Sequence, residues 1–567
     1  MVYNFNPQLS SSQLEFRIRL AEKRLMSYPL DNLDFTLIDI EHPKDRTRHA
    51  HQCTSDLTGR TAEFIAAAHT VLPDSDDKYL KDLFHRIMLH TDSNTFSRRF
   101  FPYLKLTGDP EAYRVIRTKC DRWADMIEKD PHSLDRVISK CDCVAEGLAD
   151  FYEMTGDKRY LDAAFAIAKA SLNPYEGAHS HGLMTVLRAL LKMAKVSGDM
   201  SYAEIVRPYR EQIYENLYAD GSVSEGFPRS IRTEGCSIAD FIMLCLRWWD
   251  LFGNEYDLMQ AEDSMLNGLF FNQFVTGGFG HRNYAFDGKG YGTKVEEAWW
   301  CCTQTGGMAM IEFAQHAVQL VTDESGSSKI RINYPIPGTY TLFDGKSDIR
   351  VRIISEYPAM YNANVTVTCA YDIPLEFRIP YYTIKEKCSF SEHVQANVPC
   401  TRSYSVNMPI GHYPEFRDGG WTVKYGPLLL APMLCGWNES DMEKYKENEI
   451  NIPAGYLRDN MKGTKFFINE PEEKDENGFW MVATGLDIPE WPAFDDGVGS
   501  HTGTMMKAPA NITVRTLDNI AGVACFHPLC YSVSNLTLNN VPMNFGIIRT
   551  EGSTADSDPI KRPVRKD

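Results

Sequence analysis

The chain has 567 residues, 43% of them hydrophobic and 24% charged, which fits a globular protein of two or three domains. Its formal net charge of −17 argues against nucleic acid and anionic membrane surfaces as partners, since the only basic cluster is the short, Pro-interrupted tail Lys561–Lys566. No apolar run reaches membrane-spanning length and Met1–Pro7 has no leader pattern, so a cytoplasmic location is expected, or a secreted one if a leader was removed.

Residues 1–327 read as helices joined by short loops. One phrase recurs through them, as Leu104-Lys-Leu-Thr-Gly-Asp-Pro-Glu-Ala-Tyr113 and Phe151-Tyr-Glu-Met-Thr-Gly-Asp-Lys-Arg-Tyr160. Met193–Tyr202 repeats it, and Trp249–Tyr256 does so more weakly. In each, a helix ends, Gly takes the left-handed position, Asp caps the next helix and Tyr starts its apolar face. Glycines 108, 156, 198 and 253 are therefore spaced by roughly one helical hairpin each. Stacked hairpins on this scale predict an (α/α)6 barrel, with a pocket where the inner-helix loops converge.

Further along lies Glu234-Gly235-Cys236, and then the adjacent pair Cys301-Cys302 after Trp299-Trp300. Three thiols and a carboxylate from two segments form a ligand set that suits zinc. Vicinal cysteines point to opposite faces of a regular strand, so both grip one ion only where the backbone turns. Thr303 to Val321 reads as a helix, which puts the pair at its N-terminus, where the dipole and free N–H groups favour thiolate. On the residues alone, a closed four-ligand zinc site with a purely structural duty is the first reading. The fourteen cysteines have no repeating spacing and read as reduced thiols, and Cys141-Asp-Cys143 lacks a partner pair at metal spacing. Gly277-Gly-Phe-Gly280 before His281 reads as a flexible turn, and Trp248-Trp249 as core on a helix.

After Ser328 the period changes to two. Asp348–Ser355, Asn364–Cys369, Leu375–Pro380 and Trp421–Leu430 alternate or run β-branched, which predicts an antiparallel β-sandwich over 328–432. A second, smaller β region with polar loops is expected over 433–550, the acidic stretch 432–485 as solvated loop and 551–567 as a disordered tail. The fold class is thus multidomain α+β.

This order of motifs resembles the β-L-arabinofuranosidase family, glycoside hydrolase family 127. The resemblance rests on Asp56-Leu-Thr-Gly-Arg60, the Thr-Gly-Asp hairpins, Glu234-Gly-Cys236 and Cys301-Cys302. Asn333-Tyr-Pro-Ile-Pro337, Glu356-Tyr-Pro358, Phe377-Arg-Ile-Pro380 and Tyr425-Gly-Pro427 look like its β-region signatures. It implies that Zn2+ is held by Glu234, Cys236, Cys301 and Cys302, and that Cys301 attacks the anomeric carbon. It also implies an upstream general acid/base, for which Gly221-Ser-Val-Ser-Glu-Gly-Phe227 offers Glu225. An ion with three thiolates and a carboxylate is formally negative, so it would position the nucleophile rather than activate water. Where the family has Pro-Pro-Asn after the pair, this chain has Thr303-Gln304-Thr305.

Under that resemblance His179 and His181, ahead of a hairpin helix, are candidates to hydrogen-bond sugar hydroxyls, as are His49 and His51 before Asp56. Trp300, beside the cysteines, is a candidate stacking face for a sugar, with Trp299 the other of the pair. The expected activity is a zinc-dependent retaining exo-glycosidase of the β-L-arabinofuranosidase kind, with a carbohydrate as partner and a homodimer as an open option. Two alternatives stand beside it: a glycosidase or lyase on another sugar, including an acidic one, and a carbohydrate-binding protein with structural zinc.

Overall fold

A computed structural model describes residues 2–3, 7–10, 12–26, 38–42, 46–49, 54–72, 77–89, 97–136, 144–230, 232–273, 277–284, 290–298, 301–322, 325–358, 360–395, 400–410, 412–417, 420–433, 466–468, 511–516, 521–528 and 543–544. The helices come first: α1 (Gln13–Met26), α2 (Thr54–His69), α3 (Asp77–Leu89), α4 (Phe101–Thr107), α5 (Pro110–Lys129), α6 (Val144–Thr155) and α7 (Lys158–Ser171). They continue with α8 (Ser180–Ser197), α9 (Ser201–Glu215), α10 (Gly235–Phe252), α11 (Glu255–Asp263), α12 (Phe270–Asn272) and α13 (Cys302–Gln315).

The recurring phrase is the joint between paired helices. Gly108, Gly156, Gly198 and Gly253 follow α4, α6, α8 and α10 with φ of 66°, 71°, 75° and 63°, a region that an L side chain enters only with strain. Asp109 and Asp157 then accept from the N–H groups of Glu111 and Arg159 at 2.9 and 3.0 Å, capping α5 and α7. Asn254 does the same for α11 through Tyr256 at 3.0 Å. In the third joint Asp199 accepts from Ser201 at 2.9 Å although the capping position itself is Met200.

Helix α10 is the hub, packing on α8, α11 and α13. It is apolar on nearly every face, with Leu244, Leu246 and Trp248 all buried, as a helix surrounded by other helices must be. The expected helix over 303–321 stops at Gln315; Val318–Thr322 is a strand, and its β-branched residues pair with Ser328–Ile332.

Short strands also lie among the helices, where helices and loops alone were expected. Arg46–His49, Ile38–His42, Gly290–Ala298, Gly280–Tyr284 and Arg232–Glu234 form one antiparallel sheet in that order. The run expected as a flexible turn is instead fixed. Gly277 has φ of +101°, and a Cβ there would lie 2.2 Å from the carbonyl oxygen of Leu20. Gly280 opens a strand.

Three central strands of the later sheets, Gly338–Phe343, Asp348–Ser355 and Tyr361–Thr368, follow the period-two pattern. In Asp348–Ser355, Ile349, Val351 and Ile353 face inward, while Arg350, Arg352 and Ile354 face out. That strand sits in a six-stranded sheet whose far edge is Gln8–Leu9, so the chain's first residues complete a sheet built by its later ones. Val2–Tyr3 likewise pairs with Val318–Thr322. Between the helices and these sheets, buried Glu262 accepts from Tyr357, Tyr361 and Tyr382 at 2.9, 2.6 and 3.0 Å and from Arg378 at 3.0 Å. The expected loops over 434–465 and 469–485, the tail 551–567 and the Cys141-Asp-Cys143 segment lie outside the described residues. Among the described residues, no helix is long and apolar enough to cross a membrane.

Candidate metal centre and active site

Glu234 is the last residue of its strand and sits at the head of α10 with an extended backbone, so Cys236 falls in the helix's first turn. Gly235 between them has a steric reason. A Cβ there would meet Asn272 Oδ1 at 2.9 Å, Phe279 Cβ at 3.0 Å and Cys302 Cβ at 3.2 Å. The missing side chain lets α10 approach α13 closely enough for their thiols to meet.

The vicinal cysteines converge because the backbone turns at them. Cys301 precedes α13 with φ −148° and ψ −53°, and Cys302 is the first helical residue. Their sulfurs lie 3.6 Å apart, and Cys302 Sγ lies 3.5 Å from Cys236 Sγ. One ligand atom from each of Glu234, Cys236, Cys301 and Cys302 lies within 4.8 Å of the others, and all four residues are buried. Sulfurs around a tetrahedral zinc, each about 2.3 Å from it, stand about 3.8 Å apart, so the observed spacings fit with movements of a few tenths of an ångström. The donor set is one that zinc takes.

Without a metal, burial drives the Cys236 and Cys301 thiols well above their usual range. Burial opposes ionisation of Cys302 as well, yet hydrogen bonds from the other two thiols hold it well below. Glu234 is also buried, but hydrogen bonds from His179 and His281 outweigh that and keep it strongly acidic. The Nε2 atoms of those histidines lie 3.3 Å from Oε1 and Oε2 respectively, and Ser237 donates to Oε1 at 2.9 Å. Such outer contacts orient a carboxylate ligand.

His179 caps α8: its Nδ1 accepts from the Gly182 N–H at 3.4 Å, which leaves Nε2–H to donate to Glu234. That hydrogen bond raises its pKa. His181 takes a different partner, with Nδ1 against buried Asp240 and Nε2 3.3 Å from Arg60 Nη1. The two rings stand edge to face with centroids 6.0 Å apart.

Glu225 joins this group. Its backbone N–H donates to the Arg232 carbonyl at 2.8 Å and its carbonyl accepts from Ser180 at 2.9 Å, tying the loop to both the strand before α10 and the head of α8. One of its carboxylate oxygens falls within 4.8 Å of ligand atoms of His179 and Glu234, while Oε2 pairs with Arg232 Nε at 2.8 Å. Burial first, and then repulsion from Glu234, push its pKa up against the pull of Arg232.

The structure thus brings together Cys301, Cys302, Cys236, Glu234, Glu225 and His179, with His181 next to them. His51, Trp299 and Trp300 lie outside the described residues; His49 ends a strand, and its side chain is outside them. Two residues at the site escaped sequence reasoning. His281 was hidden in the glycine run expected to be a turn, although its register opposite Glu234 puts it there. Asp240 is four residues beyond Cys236, one helical turn along α10, and only the fold shows that it faces His181.

No protein-family model and no curated relative matches the chain. Solved structures do. A GH127 β-arabinofuranosidase matches with a TM-score of 0.59 at 12% identity, over 98% of each chain. A second structure, described as a glycoside hydrolase, matches with a TM-score of 0.59 at 12% identity over 97% of each. A GH127 β-L-arabinofuranosidase from Geobacillus stearothermophilus T6 matches with a TM-score of 0.55 at 11% identity, over 75% of this chain and 86% of that one. This chain therefore has the fold of the solved GH127 β-arabinofuranosidases, a helical region of the (α/α)-barrel type followed by sheets that are antiparallel except where Leu375–Phe377 runs parallel to Ser328–Ile332.

Proposed function

We propose that the chain is a retaining glycoside hydrolase with Cys301 as nucleophile and Glu225 as general acid and base. One juxtaposition carries the reading: Cys301 lies in a buried cluster with Cys236, Cys302 and Glu234, and a second carboxylate, Glu225, stands within 4.8 Å of Glu234. Glu234, Cys236, Cys301 and Cys302 would hold zinc, which when bound favours thiolate over thiol.

The steps belong to the side chains. The Cys301 thiolate attacks the anomeric carbon while Glu225 gives its proton to the glycosidic oxygen, and the carbon–oxygen bond breaks. The sugar is then carried on sulfur. Glu225, now a carboxylate, takes a proton from water as that water attacks, the carbon–sulfur bond breaks, and configuration is retained. A raised pKa at Glu225 suits the first step, which needs the protonated form. His179 and His181 already have protein partners at both ring nitrogens, so they would orient Glu234 and Arg60 rather than bind the sugar themselves, and the fold likeness to β-arabinofuranosidases favours a furanoside at a chain end.

A second reading has an observation of its own. Four protein ligands complete a tetrahedral ion, as in structural zinc sites, and that favours a carbohydrate-binding protein whose metal only pins α10 to α13. A panel of nitrophenyl glycosides that includes furanosides and uronides, read with and without a zinc chelator, separates the two. Hydrolysis lost on chelation supports the enzyme; binding without any hydrolysis supports the second reading.

A further inference from the structure

The loop that leads to Glu225 is covered from behind, and residues 217–224 are all buried. Its tip folds back on itself. The Gly221 N–H donates to the Tyr218 carbonyl at 2.9 Å and the Tyr218 N–H to the Ser222 carbonyl at 3.0 Å. Asp220 accepts from the Ser222 N–H and hydroxyl at 2.9 and 2.8 Å. Gly221 has φ of +78°, and Glu225 follows it closely in sequence.

Against this tip lies Ser264–Leu269, the segment between α11 and α12. It is a π-helical turn, closed by the Phe270 N–H on the Met265 carbonyl. Ser264 Oγ donates to the Gly221 carbonyl at 2.7 Å. A Cβ on Gly221 would lie 3.0 Å from Ser264 Cα, and one on Gly268 would lie 2.9 Å from Ser222 Oγ. A glycine on each side of the contact therefore lets the turn and the loop come together.

The turn is in its own place because the later sheets hold it. Asn267 Oδ1 accepts from the Leu429 N–H at 2.7 Å, and its Nδ2 donates to the Pro427 carbonyl at 3.1 Å. These groups stand at the start of Leu428–Met433, a strand paired with Gly420–Tyr425 and Ala521–Pro528. Just before the turn, Asp263 pairs with the fully buried Lys424, which also lies 3.0 Å from Glu415. Ser264 and Asn267 are themselves buried, so a bond removed from either leaves a buried polar group without its partner.

The contacts form one continuous brace, from strand to Asn267, from the turn to Gly221 and Ser222, and along the loop to Glu225. On the opposite side, the backbone of Glu225 is tied to Arg232 and Ser180. A proton donor serves only when its oxygen is within hydrogen-bond reach of the leaving oxygen, so small displacements of it are costly. We propose that Ser264 and Asn267 are positioning residues for Glu225, through which the later sheets set where the proton donor stands. The inference rests on the hydrolase reading for the role of Glu225, but one arm of its test needs no turnover.

That arm is hydrogen–deuterium exchange of the zinc-loaded full chain, read by mass spectrometry. Ser264→Ala and Asn267→Ala each speed exchange over residues 217–227 by about two- to tenfold, as loss of a buried hydrogen bond allows, while α8 and α10 stay protected. The other arm is kcat/KM, which reports the step that uses the proton. On glycosides with poor leaving groups it falls about tenfold or more, and on activated nitrophenyl glycosides it changes less than about twofold. Gly268→Ala, which presses on the loop instead of releasing it, gives the same selective loss.

Unchanged loop exchange in both alanine variants overturns the proposal. Equal losses on the two classes of glycoside also overturn it, since a merely structural role would act on both alike. Faster loop exchange in a protein that cleaves no glycoside removes the hydrolase reading instead and leaves the brace between sheets and loop standing.

Discussion

The carboxylates of Glu225 and Glu234 stand with oxygens within 4.8 Å of one another, one paired with Arg232 and the other held by two histidines. Two carboxylates this close separate in acidity. Glu234 is driven down by its histidines, and Glu225 is driven up by burial and by Glu234 itself. If Glu225 is the acid, kcat/KM falls on the alkaline side as it loses its proton, at a higher pH than an unperturbed glutamate would give. Arg232 pulls its pKa down, so removing that cation disfavours the charged form further. Arg232→Gln therefore moves the alkaline limb to higher pH, and a pH–rate profile with an unmoved or lowered limb would contradict the assignment.

The histidine contact on the other side of Glu234 predicts a metal effect. His281 Nε2 lies 3.3 Å from Glu234 Oε2, and His281→Ala leaves that oxygen without its orienting partner. Loss of such an outer contact weakens metal affinity by about 10- to 100-fold. Competition against a colorimetric chelator measures it, and unchanged zinc retention would show that Glu234 does not need His281 as a ligand. Because the thiols must lose protons to bind, affinity in the unsubstituted protein also falls as pH is lowered.

Glu262 predicts the stability of the junction between helices and sheets. Its carboxylate accepts from three tyrosines and from Arg378, and both Arg378 and Glu262 are buried. Glu262→Ala leaves the guanidinium with the half-exposed Glu255 as its remaining carboxylate partner in the described network. Breaking a buried pair in this way costs about 3–5 kcal/mol, read as a fall in the urea midpoint. A loss under about 1 kcal/mol would mean that the pair is dispensable.

Two glycines should fail for different reasons. A Cβ at Gly307 on α13 would meet Phe64 at 2.3 Å, so Gly307→Ala overpacks the contact with α2 and costs about 1–3 kcal/mol. A Cβ at Gly108 meets nothing within 4 Å, but φ is +66°, so Gly108→Ala costs about 1–2 kcal/mol through backbone strain alone. Thermal unfolding of both variants checks this, and zinc content separates them. Gly307→Ala, five residues beyond Cys302 on the same helix, should perturb the Glu234–cysteine cluster and lower zinc content, and Gly108→Ala should not.

The hairpin joints were legible because a left-handed glycine followed by a capping Asp leaves a local signature that needs no tertiary knowledge. Glu234-Gly-Cys236 and Cys301-Cys302 were legible for a similar reason, since ligand chemistry restricts residue type. The end of α13 was not. Ala317 and Val318 fit an apolar helical face as well as they fit a strand, and pairing with Ser328–Ile332 decides between them. The strand from Gly280 was missed because glycines suggest turns, whereas here the missing side chain of Gly277 lets the chain pack against the Leu20 backbone.

The nucleophile is the centre of the account, and Cys301→Ala tests it most directly. On whichever glycoside the panel shows to be cleaved, kcat of the zinc-containing variant should fall by about a thousandfold or more, as when an enzyme loses the atom that forms its covalent intermediate. Zinc content measured on the same sample shows whether Glu234, Cys236 and Cys302 still hold the ion. A variant that keeps full turnover would contradict the assignment of Cys301, whatever its zinc content.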